Sequence, residues 1–135
     1  MQKLRSYSHC TSNTADNYKS GSVTVVFINL SNQTTLNIKS IDVSGVNALS
    51  NGGDRIEYIL SSGASLSLAA SDNDSERAIL ASRQVLLNGK LLQPSEAFEI
   101  PALNGKTVSN NVALTLKPLT YGFIEFPEAN VNICF

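Results

Sequence analysis

Among the side chains able to do chemistry in this sequence, His9 comes first because it is the only histidine. As the base of a Ser-His-Asp arrangement it would need a serine in front of it and an acid behind. It stands instead beside Cys10, in a segment that reads as a strand, which suits a structural or surface histidine. Asp and Glu together number 11, but paired acid catalysis needs two of them held about 5 to 10 Å apart in a cleft. Asp72, Asp74 and Glu76 cluster in what reads as a loop tip, where acids are solvated. Glu125, between Ile124 and Phe126, is the one acid in an apolar neighbourhood and reads as an outward-facing strand residue. The run from Asp72 to Glu76 lacks the glycine and the twelfth-position glutamate of an EF-hand. Gly52-Gly53 and Gly63 read as turn formers, not as a phosphate loop. No catalytic residue, metal ligand or cofactor is assigned.

Cys10 and Cys134 stand near the two ends of the chain. Zinc takes four ligands, and the only histidine, His9, is adjacent to Cys10, so the two cysteines make no metal site by themselves. A disulfide clasping the first strand to the last and a pair of buried thiols are equally compatible with the cysteine count. Asn29-Leu30-Ser31, Asn32-Gln33-Thr34 and Asn73-Asp74-Ser75 fit the N-glycosylation pattern, which has meaning in the secretory pathway, where disulfides also persist. These sequons lean towards the disulfide.

The elements that would position these residues read as short strands separated by polar turns. Ser22 to Leu30 is β-branched and apolar on both faces, as in a strand covered on each side. Thr34 to Val43 alternates, and Asn51 to Asp54 breaks the chain before Arg55 to Leu60, where Ile56, Tyr58 and Leu60 share a face. Gln84 to Leu87 and Lys90 to Leu92 flank Asn88-Gly89, a pair suited to the positive φ angles of a type I′ hairpin. Phe98 to Ile100 is short and stopped by Pro101. Val112, Leu114 and Leu116 alternate up to Pro118, and Tyr121 to Phe126 is aromatic-rich and closed by Pro127. Val131, Ile133 and Phe135 finish on one face, with Cys134 on the other. Ala64 to Arg83 reads as a long loop with at most a short helix near Ser75 to Ala81. The expected fold is all-β: an antiparallel β-sandwich of about seven to nine strands, with a closed barrel as the next choice.

The 135 residues suit one domain, 1–135. At 42% hydrophobic and 16% charged residues there is enough apolar material for a core, which excludes disorder. No apolar run exceeds the four residues of Val25 to Ile28 and Ala78 to Ala81, so no transmembrane segment is expected. The N-terminus has no apolar stretch to serve as a signal peptide. Net charge is -1 and the basic residues are scattered, which argues against nucleic acid or a polyanion as a ligand of this chain alone. Eighteen serines and fourteen asparagines favour turns and short strands.

Taken in order, three stretches resemble the C-terminal domain of heparanase and heparanase-like proteins, glycoside hydrolase family 79. Lys3 to Thr11, followed by Tyr18-Lys19-Ser20-Gly21, looks like the entry into that domain. Val25 to Thr34 is similar to the family's strand ending in Ile-Asn-Leu with a following sequon. Val85 to Lys90, and then Pro118 to Phe123 with Asn132 to Cys134, complete the match, and the hairpin and short acidic loop look closer to plant members. The resemblance implies a β-sandwich packed against a catalytic (β/α)₈ barrel that carries an acid/base and a nucleophilic glutamate and cleaves β-glucuronide bonds with retention. No catalytic residue can be carried onto this chain, since the barrel is not in it. The resemblance also implies a Cys10–Cys134 disulfide, a glycan at Asn32, and Asn29 too ordered to be modified. It further implies a strand borrowed from the N-terminal part of the parent, which would leave this chain an open sheet edge.

Met1 placed directly before the domain start points to an excised piece. The expected role is that of a non-catalytic accessory domain of a secreted, lysosomal or vacuolar β-glucuronidase that acts on glucuronic-acid-containing glycans. It would buttress the barrel, help secretion, and lend the loop Ala64 to Arg83 to the substrate-cleft rim. An independent carbohydrate- or protein-binding sandwich would need a surface row of aromatics, whereas Trp is absent and the Phe residues fall at core-like positions. An adhesin-like module whose edge accepts a partner strand is the third reading.

Overall fold

The computed structural model describes residues 3–16, 18–50, 52–66, 77, 79–94 and 96–135. Its strands are β1 Leu4–Cys10, β2 Val23–Asn29, β3 Leu36–Ile38, β4 Asp42–Val43, β5 Val46–Asn47, β6 Asp54–Ser62, β7 Val85–Leu87, β8 Lys90–Leu91, β9 Lys106–Ser109, β10 Leu114–Leu116 and β11 Tyr121–Phe126. Every pairing is antiparallel. Seven strands form one sheet in the order β1-β2-β11-β6-β7-β8, with β9 on the edge of β6 beside β7. The pairs β10-β3 and β4-β5 are two small separate sheets. The fold is all-β, and no barrel closes.

Alternation within the strands makes the core. Val23, Val25 and Phe27 on β2 and Ile124 and Phe126 on β11 are buried on one face of the large sheet. They pack with Leu114 and Leu116 of β10, with Ile41 and Val43, and with Ala129 and Val131. Leu36 and Ile38, opposite Leu116 and Leu114, close against the same cluster. Gly122 sits on this inner face, where a Cβ would come 2.7 Å from Ile59 Cδ1.

The Asn88-Gly89 hairpin forms as its sequence dictates, with φ of 49° and 83°. Asn88 also bridges to β6, accepting from Ile59 N at 2.9 Å and donating to Glu57 O at 2.9 Å. The expected strand from Thr34 to Val43 is broken at 39–41 into β3 and β4, and a second turn of this kind follows it. Ser44 and Gly45 have φ of 50° and 82°, and Asn47 Oδ1 accepts from Ile41 N and Leu49 N at 3.1 and 3.2 Å, which turns Ile41 and Val43 into the core.

Three further expectations are corrected. Phe98 to Ile100 is not a strand: Phe98 has φ +58°, and both apolar side chains lie in solvent. Val112 is exposed and falls outside β10. The C-terminal run is not a strand either, because Asn132–Cys134 is a 3₁₀ turn that buries Cys134 and Val131 and leaves Ile133 and Phe135 exposed. The expected helical turn is represented at 77 and 79–81, whereas 67–76 lie outside the described residues.

Candidate functional site

The disulfide joins Cys10, at the end of β1, to Cys134 in the terminal 3₁₀ turn, with Cα atoms 5.3 Å apart. The clasp therefore ties the first strand to a turn and not to a last strand. Gly21 and Val131 reinforce it: Gly21 N donates to Cys134 O and Val131 N to Gly21 O, both at 3.0 Å. A Cβ at Gly21 would meet the Phe135 ring at 2.9 Å.

The sequon asparagines have different fates. Asn29 is 1% exposed. Its Nδ2 donates to the carbonyls of Thr34, Leu116 and Lys117 at 2.9, 3.1 and 3.1 Å, and its Oδ1 accepts from Ser31 N at 3.0 Å. It brackets the β2–β3 connection to β10, which leaves its amide buried and fully bonded. Asn32 is exposed in that connection, as is Thr34 two residues on. Asn73 lies outside the described residues, as do Asp72, Asp74 and Glu76.

His9 is exposed on β1, its Nδ1 2.9 Å from Cys10 O. Among the described residues no three of His, Cys, Asp and Glu group as a metal site. Arg55, 1% exposed, is a clamp. Its Nε donates to Glu57 Oε2 at 2.7 Å, Nη1 to the carbonyls of Ser109 and Val112 at 3.1 and 2.7 Å, and Nη2 to Ala113 O at 3.3 Å.

What the large sheet does present is its outer face. The register sets three rows across the strands: Arg5, Ile28, Tyr121, Leu60 and Leu87; then Tyr7, Val26, Phe123 and Tyr58; then His9, Thr24, Glu125, Ile56 and Thr107. Tyr7 is 60% exposed, and Tyr121 and Phe123 are each 40% exposed. Val26, Ile28, Tyr58 and Leu60 are half-buried. None of these outer residues belongs to the inner core cluster. One end of the face is roofed by the β1–β2 connection, beneath which Thr11, Ser22 and Thr24 share buried hydroxyl hydrogen bonds of 2.9 Å. At the side the chain crosses at Gly105, where a Cβ would fall 2.2 Å from Ile56 Cγ2 and 2.7 Å from Tyr58 Cζ. That same segment carries Phe98, Ile100 and Leu103, which are 89%, 87% and 59% exposed. Exposed apolar side chains in neighbouring positions of this kind mark an interaction surface.

Glu125 stands in the third row. Burial, and then the charge of Asp16 in the β1–β2 connection, raise its pKa above the ordinary carboxylate value. Tyr58, diagonal to it, is raised by burial first and then by Glu125 and Asp16. The sequence reading found Glu125 but placed the phenylalanines in the core; Phe123, Phe98 and Phe135 are exposed, which leaves Phe27 and Phe126 inside. The available signal was that both parities of β2 and β11 are apolar.

The second feature is the free edge of β1. Leu30 N donates to Lys3 O and Thr11 N to Ser22 O. Lys3, Arg5, Tyr7, His9 and Thr11 are thus the residues bonded to β2, and Leu4, Ser6, Ser8 and Cys10 turn their backbone groups outward. Because Ser6 and Ser8 are small, their inner side opens into a groove of 210 Å³ floored by Val25, Phe27, Ile38, Ile41 and Val43.

No family model matches the chain. It is 29% identical to heparanase-like protein 1 of Arabidopsis thaliana, over 98% of the chain and 25% of that protein. It is 30% identical to heparanase of Bos taurus, over 98% of the chain and 21% of that protein, and 30% identical to hyaluronoglucuronidase of Hirudo nipponia, over 98% and 23%. The resemblance to heparanase-like proteins thus runs through the whole chain, while the chain spans only about a fifth to a quarter of the relatives' length, as a C-terminal domain would. No helix among the described residues is long and apolar enough to cross a membrane.

Proposed function

We propose that this chain is the non-catalytic C-terminal β-sandwich of a heparanase-like β-glucuronidase, and that its outer sheet face lies against the parent's catalytic (β/α)₈ barrel. The observation that carries this reading is the outer sheet face, apolar in its first two rows apart from Arg5, in a chain matching 21–25% of its relatives' length. A sheet apolar on both sides belongs between two layers, and among the described residues only the inner side has its layer. The retaining chemistry and its two glutamates belong to the barrel, as does the binding of glucuronic-acid-containing glycans. The groove beside β1 receives a strand from the parent's N-terminal part by edge addition. Asn32 carries the glycan, and the parent is secreted or delivered to a lysosome or vacuole. The loop Ala64 to Arg83 reaches the rim of the substrate cleft.

The test is made in the full-length parent, with Tyr121→Thr and Phe123→Thr combined, since threonine keeps the strand preference and removes the apolar contact. The expected result is less secreted enzyme and lower thermal stability, with a larger loss in the parent than in the isolated chain. Equal losses in both, at unchanged yield, would rule out this face as the contact. The isolated chain should not turn over an aryl glucuronide.

A second reading, an independent carbohydrate-binding sandwich, gains from the exposed Tyr7, Tyr121 and Phe123, the last of which the sequence alone put at a core-like position. Millimolar glucuronic-acid oligosaccharides shifting the amide signals of these residues in the isolated chain would favour it.

A further inference from the structure

The outer face is apolar except in its third row, where Glu125 sits between Thr24 and Ile56 with Phe123 two residues back on the same strand. Resting on the docking reading above, we propose that closure of this face against the parent's barrel is proton-linked: covering Glu125 takes up a proton, so the two parts hold together more tightly in acid than at neutral pH.

The argument is geometric. A carboxylate in the row that borders a closing apolar interface must find a cation, keep water, or protonate. No ion pair of the described residues reaches Glu125: Arg55 is engaged by Glu57, and Lys19 by Glu128. The titratable groups on the surrounding elements are mostly acidic or neutral. β2 brings none to this face, β6 brings Tyr58 and, at its exposed start, Asp54, and β11 itself brings Tyr121; β9 places Thr107 in the row, and the segment crossing at Gly105 carries the exposed Glu96 and Glu99. The β1–β2 connection brings Asp16, a like charge. β1 brings Tyr7, with His9 in the same row but beyond Thr24, and Arg5 two rows away. Glu125 in the free chain is already displaced towards its protonated form by burial and by Asp16. Docking removes more water from the same carboxyl and pushes it further that way. One proton per closure limits the effect to tenfold per pH unit.

Hydroxyl-radical footprinting of Tyr7, Tyr121 and Phe123 in the full-length parent, followed through a urea titration, reads the closure equilibrium, and the isolated chain, diluted until sedimentation velocity shows only monomer, serves as the undocked reference. Wild type should close at least about threefold more strongly at pH 5.0 than at pH 7.5, within the one-proton limit. E125Q should show a flat dependence and D16N a weakened one. A wild-type ratio below threefold, or an E125Q ratio equal to the wild-type one, overturns the proton linkage while docking stands. Aromatics no better protected in the parent than in the isolated chain at any pH would instead overturn the docking reading. Should undocking and unfolding coincide, the difference in urea midpoint between wild type and E125Q over the same pH range decides by the same criterion.

Discussion

At the residue scale, the buried charge of Arg55 is tolerated because Nε, Nη1 and Nη2 each donate to an acceptor: Nε to Glu57, and the two Nη atoms to the carbonyls of Ser109, Val112 and Ala113. Arg55→Met removes the partner of a carboxylate that is itself only 14% exposed and frees three carbonyls. Urea unfolding of the isolated chain should register a loss of about 3 to 5 kcal/mol. Adding Glu57→Leu should recover part of it, because the stranded charge goes too; no recovery would assign the cost to the carbonyls. For Glu125 the sign follows from linkage. Its pKa in the fold lies above the unfolded value, so the folded state holds the proton more firmly. Its contribution is complete below the ordinary carboxylate range and is lost as pH rises through the raised value. The unfolding free energy of Glu125→Gln should therefore fall less than that of wild type from pH 4 to pH 7.5, and a parallel pair of curves would contradict this.

At the element scale, local chemistry was legible where one residue pair dictates a turn. Asn88-Gly89 set the β7–β8 hairpin, and Asn88→Ala should cost about 1 to 3 kcal/mol by chemical denaturation, through its positive φ and its two bonds to β6. Asn88→Gly, which keeps the backbone, should cost less. Tyr121 to Phe126 was legible because Pro118 and Pro127 bracket it. Legibility ended where tertiary contacts override alternation. Val131 to Phe135 alternates like a strand, yet the disulfide and the two Gly21 backbone bonds wind it into a 3₁₀ turn. Lys106–Ser109 carries only one strongly apolar residue, and its place is set by β6. The clasp spans a sequence separation of 124, for which the chain-entropy model gives about 4 to 5 kcal/mol. Calorimetry in strong reductant, with two free thiols verified, should show a markedly lower melting temperature; an unchanged one would mean that the ends are held without sulfur.

At the scale of the whole molecule, the described residues leave two surfaces incomplete, the outer sheet face and the β1 edge, and they differ in kind. The edge offers backbone groups from Leu4, Ser6, Ser8 and Cys10 and could pair with any extended strand. The face offers rows of Tyr7, Val26, Phe123 and Tyr58 beside Ile28, Tyr121 and Leu60, which attract apolar surface without regard to backbone register. Burial of apolar area is the larger driving force at this size. The isolated chain should therefore self-associate through the face, with sedimentation velocity showing a concentration-dependent dimer. Tyr121→Thr with Phe123→Thr should return it to a monomer while leaving the β2 and β11 ladder intact. Ser6→Pro removes an outward N–H that β2 does not use, so it blocks edge pairing at little cost to the fold, and on this argument it should leave the dimer in place. The reverse pattern, a dimer abolished by proline at the edge and indifferent to threonine on the face, would move the molecule's dominant unmet contact to the β1 edge and make strand capture the stronger claim on a partner.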